Sequence, residues 1–230
     1  MGIFDLNTKA VVVKEPFMGS NLYYIDNFYK NPNEISDLFK KLPNILYDDC
    51  ESPYSDSYNG VYFLDKRVML KTDEIVHAWK HLSNMIGGYL PVWPHGKCKD
   101  VVVNQFKFLD KKFIACKDNF WHPHNDSGFT ALVYFNKNDD ICGTNLYKRI
   151  QPDLPKSRGE HVDPWRSNKN WERMTTLKPA FNRCVIFDGD KFAHGMNVVD
   201  DRYSGEEYRM NQVFFFGKDP EMSGESEEFY

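Results

Sequence analysis

Two regimes of hydrophobic patterning divide the chain. Through residue 98 the apolar positions form short runs and two helical stripes; from 99 to 217 they recur at every second residue or in brief unbroken runs. The run from Lys9 to Lys14 and the run from Leu22 to Asp26 predict two strands, joined by a turn at Pro16 and Gly19. Asn31 followed by Pro32 is a helix start, and Ile35, Leu38, Phe39 and Leu42 make one apolar face that ends at Pro43. Thr72 caps a second helix with Ile75, Trp79, Leu82 and Ile86 on its buried face and Gly87-Gly88 as its stop.

After Pro91 and Pro94 the pattern predicts eight short strands, at 100–109, 113–117, 129–136, 144–149, 174–178, 183–188, 196–200 and 207–216. Such a series separated by turn residues folds as a sandwich or barrel. The expected class is mainly β (α+β), a double-stranded β-helix or jelly-roll core with supporting N-terminal helices. One domain spans 1–230, with 1–98 as support, 99–217 as core and 218–230 as an acidic tail. Segments 48–60 and 150–173 lack periodicity and are expected to be loops, drawn over the site as a lid.

Composition narrows the function. The chain has 230 residues, 41% hydrophobic and 16% aromatic, enough for a sizeable aromatic-rich core. A net charge of -4 argues against general binding to nucleic acid or membrane surfaces, which need a positive footprint. Between 148 and 178, eight basic residues face four acidic ones, a local excess able to attract an anion or simply to solvate a loop. Cys50, Cys98, Cys116, Cys142 and Cys184 are odd in number and never paired as CxxC, as expected of reduced thiols. No stretch is apolar enough to span a bilayer and no leader is evident, so the expected location is the cytoplasm.

The chemistry concentrates at Trp121-His122-Pro123-His124-Asn125-Asp126. His124 and Asp126, two residues apart beside a strand-like run, project from one side of an extended chain. His194 in Phe192-Ala193-His194-Gly195 supplies a third ligand. Two histidines and one carboxylate with open positions suit non-haem Fe(II). His122 lacks a carboxylate two residues on and is expected to shape the entrance or support by hydrogen bonding. His161-Val162-Asp163 repeats the spacing but lies between Pro155 and Pro164 in a polar segment with no strand to hold it. His77 and His81 share a helix face but lack the Glu of HExxH and are expected at the surface. Arg209, within a strand, needs an anion if buried; Asn211 and Val213 share its face, and Tyr134 offers a phenol from another strand.

With Pro123-His124-Asn125-Asp126, His194 and Arg209 in this order, the chain resembles the Fe(II)/2-oxoglutarate-dependent dioxygenase superfamily, its prolyl-hydroxylase-type branch in particular. Val133-Tyr134-Phe135-Asn136 resembles the branch's YxN strand, Gly143-Thr144-Asn145-Leu146-Tyr147 stands where a Gly-Gly strand lies, and 181–187 is similar to the segment before the distal ligand. The start at 26–32 resembles uncharacterised members of the superfamily, some from phages and marine microbes; the expected cytoplasm is that of the host if the protein is phage-encoded. The resemblance implies Fe(II) on His124, Asp126 and His194; 2-oxoglutarate gripped by Arg209 and Tyr134, with Asn211 and Leu146 in the same pocket; and O2 as oxidant. It implies hydroxylation of an unidentified substrate, a peptidyl or amino-acid side chain among the candidates, with release of succinate and CO2. Trp121, Trp165 and Trp171 are candidates to face that substrate or to pack in core or loop. The alternatives are a cupin-like metal enzyme that does not use 2-oxoglutarate and a non-catalytic jelly roll binding a carbohydrate or partner.

Overall fold

The structure is a computed structural model, described for residues 2–41, 63–70, 73–87, 90–91, 101–108, 119–126, 128–151, 165–203 and 206–217. Its main sheet begins with the hairpin β1 (Val12–Phe17) and β2 (Ser20–Ile25). It continues through β3 (Phe63–Leu70), β4 (Leu90–Pro91), β5 (Val101–Phe108) and β7 (Phe129–Tyr134), with β6 (Asn119–Trp121) outside it. Later come β8 (Thr144–Arg149), β9 (Trp165–Ser167), β10 (Trp171–Leu177), β11 (Cys184–Asp188), β12 (Ala193–Met196) and β13 (Arg209–Gly217). The main sheet runs β1-β2-β11-β7-β13-β5-β3, with β4 added to β13; a second sheet runs β10-β8-β12, and β6 pairs β9. Every described pairing is antiparallel.

Strand alternation separates two cores. On β7, Ala131 and Val133 join Phe135 on the face toward the helices, while Leu132 and Tyr134 turn to the second sheet. The outer face is covered by α1 (Pro32–Lys41), through Ile35 and Phe39, and by α2 (Asp73–Met85), through Ile75, Trp79 and Leu82. Ile35, Phe39 and Leu82 are fully buried, each transfer worth about 1.5–3 kcal/mol. Trp79 also donates from Nε1 to the Phe215 carbonyl at 3.2 Å, which pins α2 to β13. The inner face packs Leu22, Leu132, Val185, Phe187 and Val213 against Leu146 and Leu177 of the second sheet. The protein is therefore mainly β, two antiparallel sheets face to face with the helices outside. No helix of the described residues is long and apolar enough to cross a membrane.

Several expected elements shift. The first strand begins at Val12 rather than Lys9, because its register with β2 starts at Val12 opposite Ile25. The strand expected at 196–200 is β12, which starts at Ala193 and ends at Met196; pairing with Tyr147 to Thr144 fixes it, not the apolar run Val198-Val199. The charged centre of β3, Asp65-Lys66-Arg67, hid that strand. Segment 150–173 is not loop throughout: β9 and the start of β10 lie within it, β10 held by Trp171 opposite Arg149. Segments 48–60 and 113–117, His161 to Asp163 and the acidic tail lie outside the described residues.

Candidate metal centre

The centre forms where a short segment after β6 meets β12. His124 and His194 exchange backbone hydrogen bonds, 3.0 Å from His124 N to His194 O and 2.7 Å in return. Two ligand candidates distant in sequence are thereby placed side by side, their rings 4.3 Å apart. The close approach requires Gly195: a Cβ there would lie 2.2 Å from the Trp121 carbonyl oxygen.

Asp126 completes the group. Its Oδ1 is 3.8 Å from His124 Nε2 and its Oδ2 is 3.3 Å from His194 Nε2. One ligand atom from each of the three residues lies within 4.8 Å of the others. Supporting contacts set their orientation. His124 Nδ1 is 2.8 Å from the His122 carbonyl oxygen, which makes Nδ1 the protonated nitrogen and leaves the Nε2 lone pair toward Asp126. His122 adopts φ of 49°, a left-handed backbone that aims this carbonyl. Thr130 Oγ1 donates to Asp126 Oδ2 at 2.7 Å, and Asn125 Nδ2 donates to the Gly189 carbonyl at 2.9 Å. Gly189 carries no side chain where a Cβ would stand 3.0 Å from both Asp126 Cβ and Thr130 Oγ1.

The electrostatics suit a cation. Burial pushes the Asp126 carboxyl up, but the His194 and His124 imidazoles and the Thr130 hydroxyl outweigh it and hold it well below the usual carboxylate range. His194 is buried, and its Nδ1 has no hydrogen-bond partner among the described residues. Two imidazole Nε2 atoms and an ionised carboxylate converging within 4.8 Å, in a site part-closed to water, fit a divalent ion with N and O donors.

The cosubstrate candidates line the space between the sheets. Arg209 is 9% exposed, yet it has no carboxylate partner among the described residues. Its Nε donates to the Cys142 carbonyl at 3.3 Å, its Nη2 lies 3.5 Å from Thr144 Oγ1, and its guanidinium sits 5.6 Å from the Tyr134 ring centroid. Tyr134 Oη and Thr144 Oγ1 are 2.8 Å apart. Burial pushes the Tyr134 phenol up to about 12 against the pull of Arg209, so it stays a neutral donor. Asn211 stands directly opposite Tyr134 in the β13-β7 register, its Oδ1 buried without a hydrogen-bond partner among the described residues. Leu146 stands opposite His194 in the β8-β12 register and shares the inner core with Tyr134, Val213 and Phe187, whose ring meets the His194 ring at 4.7 Å.

The sequence-predicted residues thus fall into two groups in one inter-sheet space, His124, Asp126 and His194 in one and Arg209, Tyr134, Asn211 and Leu146 in the other. His77 and His81 lie exposed on α2, as expected. Trp121 and Trp171 are buried. Unanticipated were Thr130, Thr144, and the carbonyls of His122 and Cys142. Strand alternation would have found the two threonines, since Thr130 shares a face with Tyr134 and Thr144 with Leu146; backbone carbonyls leave no trace in side-chain identity.

No family model matches the chain, and no curated protein matches it. Among solved structures, it is similar to an oxidoreductase of the 2OG-Fe(II) oxygenase family from Burkholderia pseudomallei, at 13% identity and TM-score 0.43 over 86% of this chain and 82% of that one. It is also similar to the Fe(II)/(alpha)ketoglutarate-dependent dioxygenase TqaL, at 12% identity and TM-score 0.37 over 81% of this chain and 74% of that one.

Proposed function

We propose that the protein is an Fe(II)- and 2-oxoglutarate-dependent oxygenase of the prolyl-hydroxylase type, built on a jelly-roll core, which hydroxylates a substrate such as a peptidyl or amino-acid side chain in the cytoplasm. The observation that carries this reading is Arg209: a buried guanidinium without a carboxylate partner among the described residues, in the same inter-sheet space as His124, Asp126 and His194. An unpaired buried cation costs several kcal/mol, roughly, and is retained where a ligand anion offsets that cost.

His124 Nε2, Asp126 and His194 Nε2 would hold the iron. Once bound, iron and 2-oxoglutarate supply the two-electron activation of O2, coupled to decarboxylation to succinate and CO2, that converts a substrate C–H into C–OH. The His122 carbonyl keeps the His124 proton on Nδ1, and the Thr130 hydroxyl fixes one Asp126 oxygen. Arg209 would bind the distal carboxylate of 2-oxoglutarate, and the Tyr134 and Thr144 hydroxyls, which neighbour each other and the guanidinium, would serve as donors beside it. Leu146, Phe187 and Val213 exclude water from the space between.

Anaerobic titration of the purified protein with Fe(II) and then 2-oxoglutarate tests this reading. The parent should develop a visible charge-transfer band, and Arg209→Ala should lose it while still binding metal. A cupin-like enzyme would keep its metal chemistry in Arg209→Ala. No band from the parent and no uncoupled succinate formation would overturn the proposal.

A further inference from the structure

Next to the candidate metal centre lies a half-open cavity of about 320 Å³ that neither the ligand triad nor Arg209 lines. Its place follows from the chain. Asn125, between His124 and Asp126, and Ala193, directly before His194, both contribute to its wall; Ala193 lies on the face of β12 opposite His194, whereas Lys148, two residues beyond Leu146 on β8, lies on the face where Leu146 stands opposite His194, so the cavity adjoins the segments that carry the candidate ligands. The volume is at the small end of ligand pockets, which run from roughly 300 to 1,000 Å³.

The lining combines excess positive charge with apolar surface. Among the described residues that line the cavity, Lys148, Arg149 and Lys191 stand against one carboxylate, Asp190. Neither Lys148 nor Lys191 forms an ion pair with a described residue. Glu172 stands directly opposite Lys148 in the β10-β8 register, yet makes no ion pair with it and does not line the cavity. Buried Trp171 and Phe192 supply the apolar side. Arg149 lies over the Trp171 ring at 5.6 Å, and the Lys191 ammonium is 5.9 Å from the Phe192 centroid. The ammonium charges of Lys148 and Lys191 around one concave surface repel one another; a bound anion relieves that repulsion while the rings cover an apolar body.

We propose that this cavity binds an organic anion, its charged group taken by Lys148 and Lys191 and its apolar body by Trp171 and Phe192, and that this anion is the acceptor substrate. The second half of the assignment rests on the oxygenase reading above. Lysine meets carboxylate and phosphate alike as a point charge, so both chemistries belong in the test.

The experiment titrates the full chain with phenylacetate, phenyl phosphate and neutral benzyl alcohol, following heat or tryptophan fluorescence. One or both anions should bind more tightly than benzyl alcohol, and the stronger of the two identifies the charged group. Lys148→Gln with Lys191→Gln should weaken anion binding about fivefold, the sum of two partly exposed ion pairs, and leave benzyl alcohol unchanged. Lys169→Gln, in an exposed turn outside the cavity, should change nothing. Both lysines are exposed, so thermal unfolding should match the parent. With Mn(II) loaded in place of Fe(II), proton lines of the bound anion should broaden, and Zn(II) should restore them. Equal binding of neutral and anionic probes, or anion binding untouched by the double substitution, overturns the pocket. Lysine-dependent binding without Mn(II) broadening overturns the acceptor assignment alone. If the parent binds anions through the lysines but gives no Fe(II)/2-oxoglutarate band, the oxygenase reading fails and the anion pocket stands.

Discussion

His124 and His194 are bridged through their own backbones, each amide N–H donating to the other's carbonyl at 3.0 and 2.7 Å. The two imidazoles therefore do not depend on long side-chain reach to meet. Their separation is set by the main chain, which makes the pair rigid before any ion arrives, and Asp126 is brought to both Nε2 atoms by two further residues of chain.

Thr130→Val should weaken metal binding without unfolding the protein. Its hydroxyl donates to Asp126 Oδ2 at 2.7 Å, and valine keeps the shape while removing the donor. Loss of such an outer hydrogen bond is expected to cost about tenfold or more in metal affinity, measured by competition with a chelator. Asp126→Ala, by contrast, should remove tight binding altogether.

Arg209→Met should raise the stability of the ligand-free protein. The guanidinium is buried, with only long contacts at 3.3 and 3.5 Å and no carboxylate among the described residues. Replacing it with an apolar chain of similar length should gain about 1 kcal/mol, or ~2–4 °C in the unfolding midpoint. The same variant should show no further rise when 2-oxoglutarate is added, whereas the parent should.

Gly195→Val should destabilise the protein and disrupt the metal centre together. A Cβ at this position meets the Trp121 carbonyl oxygen at 2.2 Å, so the strand carrying His194 must move from the segment that leads to His124. The expected loss is about 1–3 kcal/mol in a denaturant titration, accompanied by weakened metal binding.

Asp26→Asn should reduce stability at neutral pH and abolish one part of its acid dependence. The Arg183 hydrogen bonds, from Nε to Oδ1 at 2.5 Å and from Nη2 to Oδ2 at 2.9 Å, hold the Asp26 carboxyl below the usual carboxylate range. A depressed native value means the unfolded chain takes up the proton first. The contribution is therefore present above the ordinary value of about 3.9 and is lost as pH falls through the lower native value. The pair is partly exposed, so the effect is at most about 1 kcal/mol, read as the difference between parent and variant melts from pH 7 to pH 2.

Legibility in the sequence followed how local each determinant is. Both helices and most core strands were readable because a buried face imposes period 3.6 or 2 on the chain, as in Ile35 and Phe39 or in Ala131 and Val133 against Leu132 and Tyr134. β3 was not, since its charged centre conceals the period, and β12 was misplaced because pairing with β8 overrides its own apolar run. At the candidate site, the residues singled out by type, order and strand alternation meet in space: His124, Asp126 and His194 converge, and Arg209 lies against Tyr134.

The sequence by itself determined the types of the candidate ligands, their order along the chain and the strand face on which Arg209, Tyr134 and Asn211 lie, because those depend on side-chain identity and backbone period. Only the tertiary structure decided that His124 sits beside His194, that the His122 carbonyl occupies His124 Nδ1, and that Arg209 is buried without a protein carboxylate among the described residues. Those are relations between segments distant in sequence, set by sheet register and close backbone approach, and no local pattern encodes them.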